Sequence, residues 1–165
     1  MTKNMFIQKR GISLVEVVIT ITIISGVLIS LLQLSSFTLR TINLIEESNK
    51  ANLIAQGTME AARNFRDNTS WSINGVGVLT AGSIYHLEIA NGASSTVWSM
   101  SLGSETDGVY SKEVIFNNVS RDPVTYDIEE VYDVANDDID TKKVTVRVTW
   151  NSRQVEIENY LTNWQ

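Results

Sequence analysis

The feature that most constrains this chain is an apolar run near its start. Residues 11–34 read GISLVEVVITITIISGVLISLLQL, with Glu16 as the only charged side chain and no proline. A helix of about 20 apolar residues, at a rise of about 1.5 Å each, spans the ~30 Å hydrocarbon core of a bilayer. The run therefore predicts a membrane-spanning helix. Its carboxylate needs a partner, because a charge in that environment is costly.

Charge is distributed unevenly around this run. Residues 1–11 carry Lys3, Lys9 and Arg10 and no acidic residue, whereas the whole chain has a formal net charge of −6. Because basic flanks stay on the cytoplasmic side, we expect the first 11 residues in the cytoplasm and the acidic remainder outside. An acidic domain is poorly suited to bind phosphates, so no nucleic-acid partner is predicted. The absence of cysteine excludes disulfides and thiolate-based sites.

Two ordinary interpretations of the apolar run compete with a more specific one. A secretory signal peptide has a shorter apolar core of ~7–15 residues and a small-residue cleavage site, and no A-x-A pattern closes this run. A plain single-span anchor fits the length, but it gives no reason for the presence of Glu16. Both interpretations leave the acidic residue unexplained.

The more specific interpretation comes from residues 11–16. They read GISLVE, follow a basic pair and resemble the prepilin processing motif of type IV pilins and type II secretion pseudopilins. In that family a peptidase on the cytoplasmic face cuts after the glycine, and the new N-terminal residue is methylated. The resemblance implies a leader peptide of residues 1–11, cleavage between Gly11 and Ile12, a methylated Ile12, and Glu16 retained as the fifth mature residue. Many pilins have Phe at the position of Ile12, and the family accepts other apolar residues there.

The resemblance also implies a role for the acidic residue. Cleavage would create a cationic amine at Ile12, at the positive end of a helix dipole. The Glu16 carboxylate of one subunit can then neutralise the Ile12 amine of a neighbour and fix the axial register of the two helices. Glu16 is therefore the predicted assembly residue.

The function implied by the resemblance is structural, and no enzymatic activity is expected. The precursor would wait in the cytoplasmic membrane, be processed by prepilin peptidase/methyltransferase, and join other pilin subunits in an extracellular surface filament. The sequence SLVEV at residues 13–17 is more similar to minor pilins than to major ones, so a minor pilin is favoured. Two alternatives stay open: a pseudopilin of a type II secretion or DNA-uptake system, and a membrane-anchored binding domain that never assembles.

The helix is predicted to continue past the membrane. Residues 27–56 contain no proline or glycine, and apolar side chains recur among charged ones at roughly helical spacing. One helix over about 13–66 would comprise a transmembrane and filament-core half, 12–34, and an amphipathic outer half, 35–68, that packs under the globular domain. An exposed coiled-coil stalk is the alternative for the outer half. The apolar positions of the outer half are Phe37, Ile42, Ile45, Leu53, Ile54, Met59, Ala62 and Phe65.

The remainder, 69–165, alternates apolar and polar residues with period two, which predicts an antiparallel β-sheet. The predicted strands are 85–89, 96–100, 110–116, 124–132, 144–150 and 155–161, with a turn at Asn91-Gly92 between the first two. Val144, Val146, Val148 and Trp150 share one apolar face that must be covered. The outer half of the helix is the obvious cover. The predicted fold is therefore α+β: a long N-terminal helix packed on a C-terminal antiparallel headgroup, as in pilins.

Candidate ligand chemistry is sparse in the headgroup. An acidic stretch between two predicted strands has oxygen ligands at a density that suits Ca²⁺, although its spacing matches no EF-hand and a solvated turn is the alternative. The candidate Ca²⁺ ligands are Asp133, Asp137, Asp138 and Asp140. His86 is the single histidine, and the chain has no cysteine with which it could form a zinc site. No catalytic residue and no other cofactor are predicted.

Overall fold

The computed structural model describes residues 13–90, 97–129 and 132–163. In chain order these residues form α1 (Leu14–Asp67), a short 3-10 turn (Val76–Val78), β1 (Ile84–Ala90), β2 (Val97–Leu102), β3 (Glu105–Asp107), β4 (Tyr110–Ser120), a second 3-10 turn (Val134–Asn136), β5 (Asp137–Trp150) and β6 (Arg153–Thr162). The α+β fold class and the extent of the long helix are confirmed.

The chain divides into two units, one up to Glu46 and one from Glu47 onward, and α1 contributes to both. In the first unit the described residues are helical from Leu14 onward. Their large apolar side chains, including Phe37, Ile42 and Ile45, are exposed. The second unit holds the sheet and the last 21 residues of the helix, 47–67.

The second unit is built on a six-stranded antiparallel sheet with the order β2-β1-β4-β5-β6, and β3 pairs with β4 beside that path. The predicted final hairpin is confirmed: β5 and β6 pair from Thr141↔Thr162 to Trp150↔Arg153. Its two-residue turn, Asn151-Ser152, has positive φ at both positions (44° and 61°). That backbone follows the twist of the flanking strands, which is why it closes tight hairpins.

The core of this unit lies between the sheet and one face of α1. The buried helix residues are Ala51, Ala55, Met59, Ala61, Ala62 and Phe65. Most of them recur every three or four positions and form a single stripe. The stripe packs on the apolar face of the sheet, where Val144, Val146 and Val148 are fully buried. The outer part of the helix thus covers the sheet, as the alternation of the strands predicts.

The prediction of the helix stripe was partly wrong. Met59, Ala62 and Phe65 are buried and Ile54 packs against the core, whereas Leu53 is 68% exposed. The buried face is marked instead by alanines, which let the helix backbone approach the sheet closely. A prediction based on the size of the apolar side chains therefore placed Leu53 on the buried face, where Ala51 and Ala55 lie instead.

The predicted strand over 124–132 was also wrong. Its described residues form turns, with one isolated bridge between Arg121 and Ile128. The Asp122 carboxylate accepts hydrogen bonds from the backbone N–H groups of Val124 (2.7 Å) and Thr125 (2.9 Å), which reverses the chain around Pro123. The predicted turn at Asn91-Gly92 lies outside the described residues.

Candidate functional site

The candidate site is the start of α1. The predicted leader charges Lys9 and Arg10 and the processing residues Gly11 and Ile12 lie outside the described residues. The helix begins at Leu14, and the Ser13 carbonyl accepts the N–H groups of Glu16 (2.9 Å) and Val17 (3.2 Å). Glu16 therefore lies in the first turn of the helix.

The Glu16 side chain is exposed, and it forms no hydrogen bond or ion pair with any residue that the structure describes. Its one local stabilisation is the partial positive charge of the helix N-terminus, which favours an acidic side chain there. A carboxylate in an otherwise apolar segment thus has no side-chain partner among residues 13–90, 97–129 and 132–163.

The segment after Glu16 is uncharged as far as Arg40, so residues 17–39 extend about 35 Å as a helix. Its apolar side chains are exposed, and α1 is long and apolar enough to cross a membrane. An exposed apolar surface of this length is costly in water, since burying apolar area is the main favourable term in folding and association. The helix can therefore anchor the protein in a membrane.

Four hydroxyl groups in this segment donate to a carbonyl one turn earlier in the helix. Thr20 donates to Glu16 (2.7 Å), Thr22 to Val18 (2.8 Å), Ser30 to Gly26 (2.9 Å) and Thr38 to Leu34 (2.9 Å). Such bonds spare the hydroxyl groups from requiring water in a hydrocarbon environment. These polar residues are therefore compatible with a membrane-spanning helix.

The acidic residues proposed for Ca²⁺ do not form a loop between strands, because Asp137, Asp138 and Asp140 belong to β5. Asp133 precedes the second 3-10 turn and accepts the N–H of Ala135 (3.0 Å). Asp140 accepts the side-chain amide of Asn163 (2.9 Å). In residues 13–90, 97–129 and 132–163, no three acidic or histidine side chains are close enough to hold a metal ion together. Calcium binding stays a prediction without support from these positions.

Sequence reasoning missed the residue that Asp138 does bind. Arg121 donates from Nε to the Asp138 carboxylate, from one terminal nitrogen to the carbonyl of Tyr126 (3.0 Å) and from the other to the Thr141 hydroxyl (3.3 Å). Burial alone would raise the pKa of Asp138, but the hydrogen bonds from Arg121, Thr141 and the Asp140 backbone outweigh it, so the pKa is lowered. Arg121 is the only basic residue in 113–141, a signal that was available in the sequence.

His86 has acceptors at both ring nitrogens. Nδ1 lies 3.0 Å from the Gly103 carbonyl oxygen, and Nε2 lies 2.7 Å from Oε1 of Glu88. The bond to Glu88 is the main reason that the pKa of His86 is raised. Only the protonated imidazole has two N–H donors, so the arrangement stabilises the cationic form. It is a structural ion pair on β1.

Comparisons of the chain with protein-family models, with curated proteins and with solved structures found no match. A long apolar N-terminal helix followed by an antiparallel sheet is compatible with a pilin-like architecture.

Proposed function

We propose that this chain is the precursor of a structural subunit of a type IV pilus-like surface filament. The observation that carries the proposal is Glu16, a carboxylate without a side-chain partner in the described chain, in the first turn of a helix whose next 23 residues, 17–39, are uncharged. A charge in such a segment is tolerated where a partner neutralises it. The amine created by cleavage before Ile12 of a neighbouring subunit would be that partner.

The two parts of α1 differ in their cover, which also supports the proposal. Between residues 51 and 65 one face of the helix is buried by the sheet of the same chain. Between residues 14 and 45 the large apolar side chains are exposed. This first part needs an apolar environment from outside the chain. The bilayer would supply it before assembly, and the helices of other subunits would supply it afterwards.

In this proposal the precursor spans the cytoplasmic membrane once, with its basic N-terminus in the cytoplasm. Prepilin peptidase removes residues 1–11 and methylates Ile12, and the acidic headgroup lies outside the cell. A minor pilin is favoured over a major one by the residues around Glu16. No catalytic activity is part of the proposal.

The proposal is tested by Glu16→Gln in cells that assemble the filament. We expect the precursor to be processed normally but to be depleted from sheared filaments, because the neutral amide cannot pair with the Ile12 amine. Glu60→Gln is the matched control, since Glu60 lies in the same helix and loses only an exposed ion pair with Arg63 (2.8 Å). Normal incorporation of the Glu16 variant would contradict the assembly role.

A further inference from the structure

Residues of β4, β5 and β6 line a cavity of about 540 Å³. This volume falls within the ~300–1,000 Å³ of small-molecule sites. Six of the side chains that line this cavity, here called the tyrosine cavity, are polar or aromatic: Asn117, Asn118, Glu129, Tyr132, Lys143 and Tyr160.

The strand register builds the floor of the tyrosine cavity. Asn117 of β4 is paired with Lys143 of β5, which is paired with Tyr160 of β6. Their neighbours Phe116 and Val144 are fully buried in the core. Since successive side chains of a strand point to opposite faces, the row of three lies on the outward face.

The segment that follows β4 supplies the wall. The amide of Asn118 donates to the Tyr132 hydroxyl (3.3 Å), while its oxygen accepts from Lys142 Nζ. The backbone N–H of Glu129 donates to the Ser120 carbonyl (2.9 Å), which ties this segment to the end of β4. Asn118 alternates with Asn117 and so belongs to the opposite face of β4, and the cavity is lined both by the row on the strands and by Glu129 and Tyr132 of this segment.

Several groups in the tyrosine cavity have no hydrogen-bond partner among the described residues: the Asn117 amide, the Glu129 carboxylate and the Tyr160 hydroxyl. Lys143, by contrast, is paired with Glu158 (2.8 Å). The Tyr132 and Tyr160 side chains are 42% and 45% exposed, and neither ring packs against another aromatic ring of the described chain. Two tyrosines and three residues with unpartnered polar groups, Tyr160 among both, therefore line one cavity.

We propose that the tyrosine cavity binds a neutral saccharide, a function beyond filament assembly. A sugar ring presents an apolar C–H face, which fits against an aromatic surface, and a belt of hydroxyl groups, each of which donates and accepts. An amide beside a carboxylate offers the matching donors and acceptors. A purely apolar ligand would leave the Asn117 and Glu129 groups unpaired on binding, which is costly. An anion is disfavoured because Glu129 is near and Lys143 is already neutralised by Glu158.

The test uses the full chain in a detergent without a sugar headgroup, since a glycosidic detergent would compete for the site. A printed array of neutral glycans identifies a bound disaccharide unit, and saturation-transfer NMR with that free disaccharide measures its affinity. We expect Tyr160→Ala and Asn117→Ala each to weaken binding by at least about tenfold. Asn117 makes no side-chain hydrogen bond within the described chain, so its removal leaves the fold intact.

Tyr126→Ala is the matched control, because Tyr126 is 72% exposed and does not line the cavity. It should retain the affinity of the unmodified chain, and thermal unfolding should show all three variants folded. The proposal is overturned if no neutral glycan on the array binds. It is equally overturned if the Tyr160 and Asn117 variants bind as tightly as the Tyr126 variant.

Discussion

The indole Nε1 of Trp71 donates a 3.0 Å hydrogen bond to the carbonyl oxygen of Ile139. Trp71 follows the end of α1, whereas Ile139 lies in β5, 68 positions further along the chain. The Trp71 side chain is nearly buried, with 8% of the residue exposed. The bond therefore ties the exit of the helix to the start of the longest strand.

Trp71→Phe should lower the free energy of unfolding of the second unit by about 1–3 kcal/mol, because the Ile139 carbonyl loses its donor and ring volume is lost. Urea unfolding followed by circular dichroism measures the change. Trp98→Phe is the control: Trp98 packs at the edge of the core and its indole N–H makes no hydrogen bond within the described chain, so the loss should be smaller. Equal losses would show that the bond to Ile139 contributes nothing.

Substitution by alanine should change the stability in opposite directions at two glycines, Gly77 and Gly57. A Cβ at Gly77 would lie 2.5 Å from the Trp71 ring, so Gly77→Ala should destabilise the unit by about 1–3 kcal/mol. A Cβ at Gly57, within α1, would meet nothing within 4 Å. Gly57→Ala should therefore stabilise by about 0.5–1 kcal/mol through helix propensity. Thermal unfolding of the two variants checks both signs, and a lower midpoint for Gly57→Ala would contradict the open space around position 57.

The His86–Glu88 pair predicts a pH dependence. Because the pKa of His86 is raised in the folded state, its contribution to stability is complete below the unfolded pKa of about 6.5 and is lost as pH rises through the folded pKa. His86 is the only histidine, so its Cε1 signal in NMR can be followed through a titration without ambiguity. The midpoint should exceed 6.5 and should fall in Glu88→Gln. A midpoint at or below 6.5 in the unmodified chain would contradict the pairing.

Arg121→Met should cost about 1–2 kcal/mol, since it removes the cation from Asp138, whose side chain is 14% exposed. Arg153→Met, at an exposed position without an ion pair among the described residues, is the matched control and should be nearly neutral. The folded pKa of Asp138 is lowered, so its contribution is present above the unfolded value of about 4 and lost as pH falls. The difference between the unmodified chain and Asp138→Asn should shrink as pH is lowered below about 4.

Regular patterns in the sequence predicted most of the fold. The alternation from Val144 to Trp150 and the uninterrupted helical stretch predicted the β5–β6 hairpin and α1, because each depends on local periodicity. The strand expected at 124–132 failed because a single side chain, Asp122, redirects the backbone through local hydrogen bonds that compete with a strand.

Among the functional residues, some were visible in the sequence and others depend on the register of the strands. Glu16 was predictable because a charge in an apolar run is conspicuous on its own. The sequence marks Arg121 as the only basic residue in 113–141, but its pairing with Asp138 depends on the bulged β4–β5 register, which local patterns do not show. The tyrosine cavity likewise depends on strand register, which brings Asn117, Lys143 and Tyr160 into one row.

The processing of this chain into a filament subunit is tested most directly by the intact mass of the native protein with sequencing of its N-terminus. We expect a mature chain that begins at N-methylated Ile12, and a chain that keeps residues 1–11 in cells without the prepilin peptidase. A mature protein that retains Met1 and an unmethylated Ile12 would contradict it.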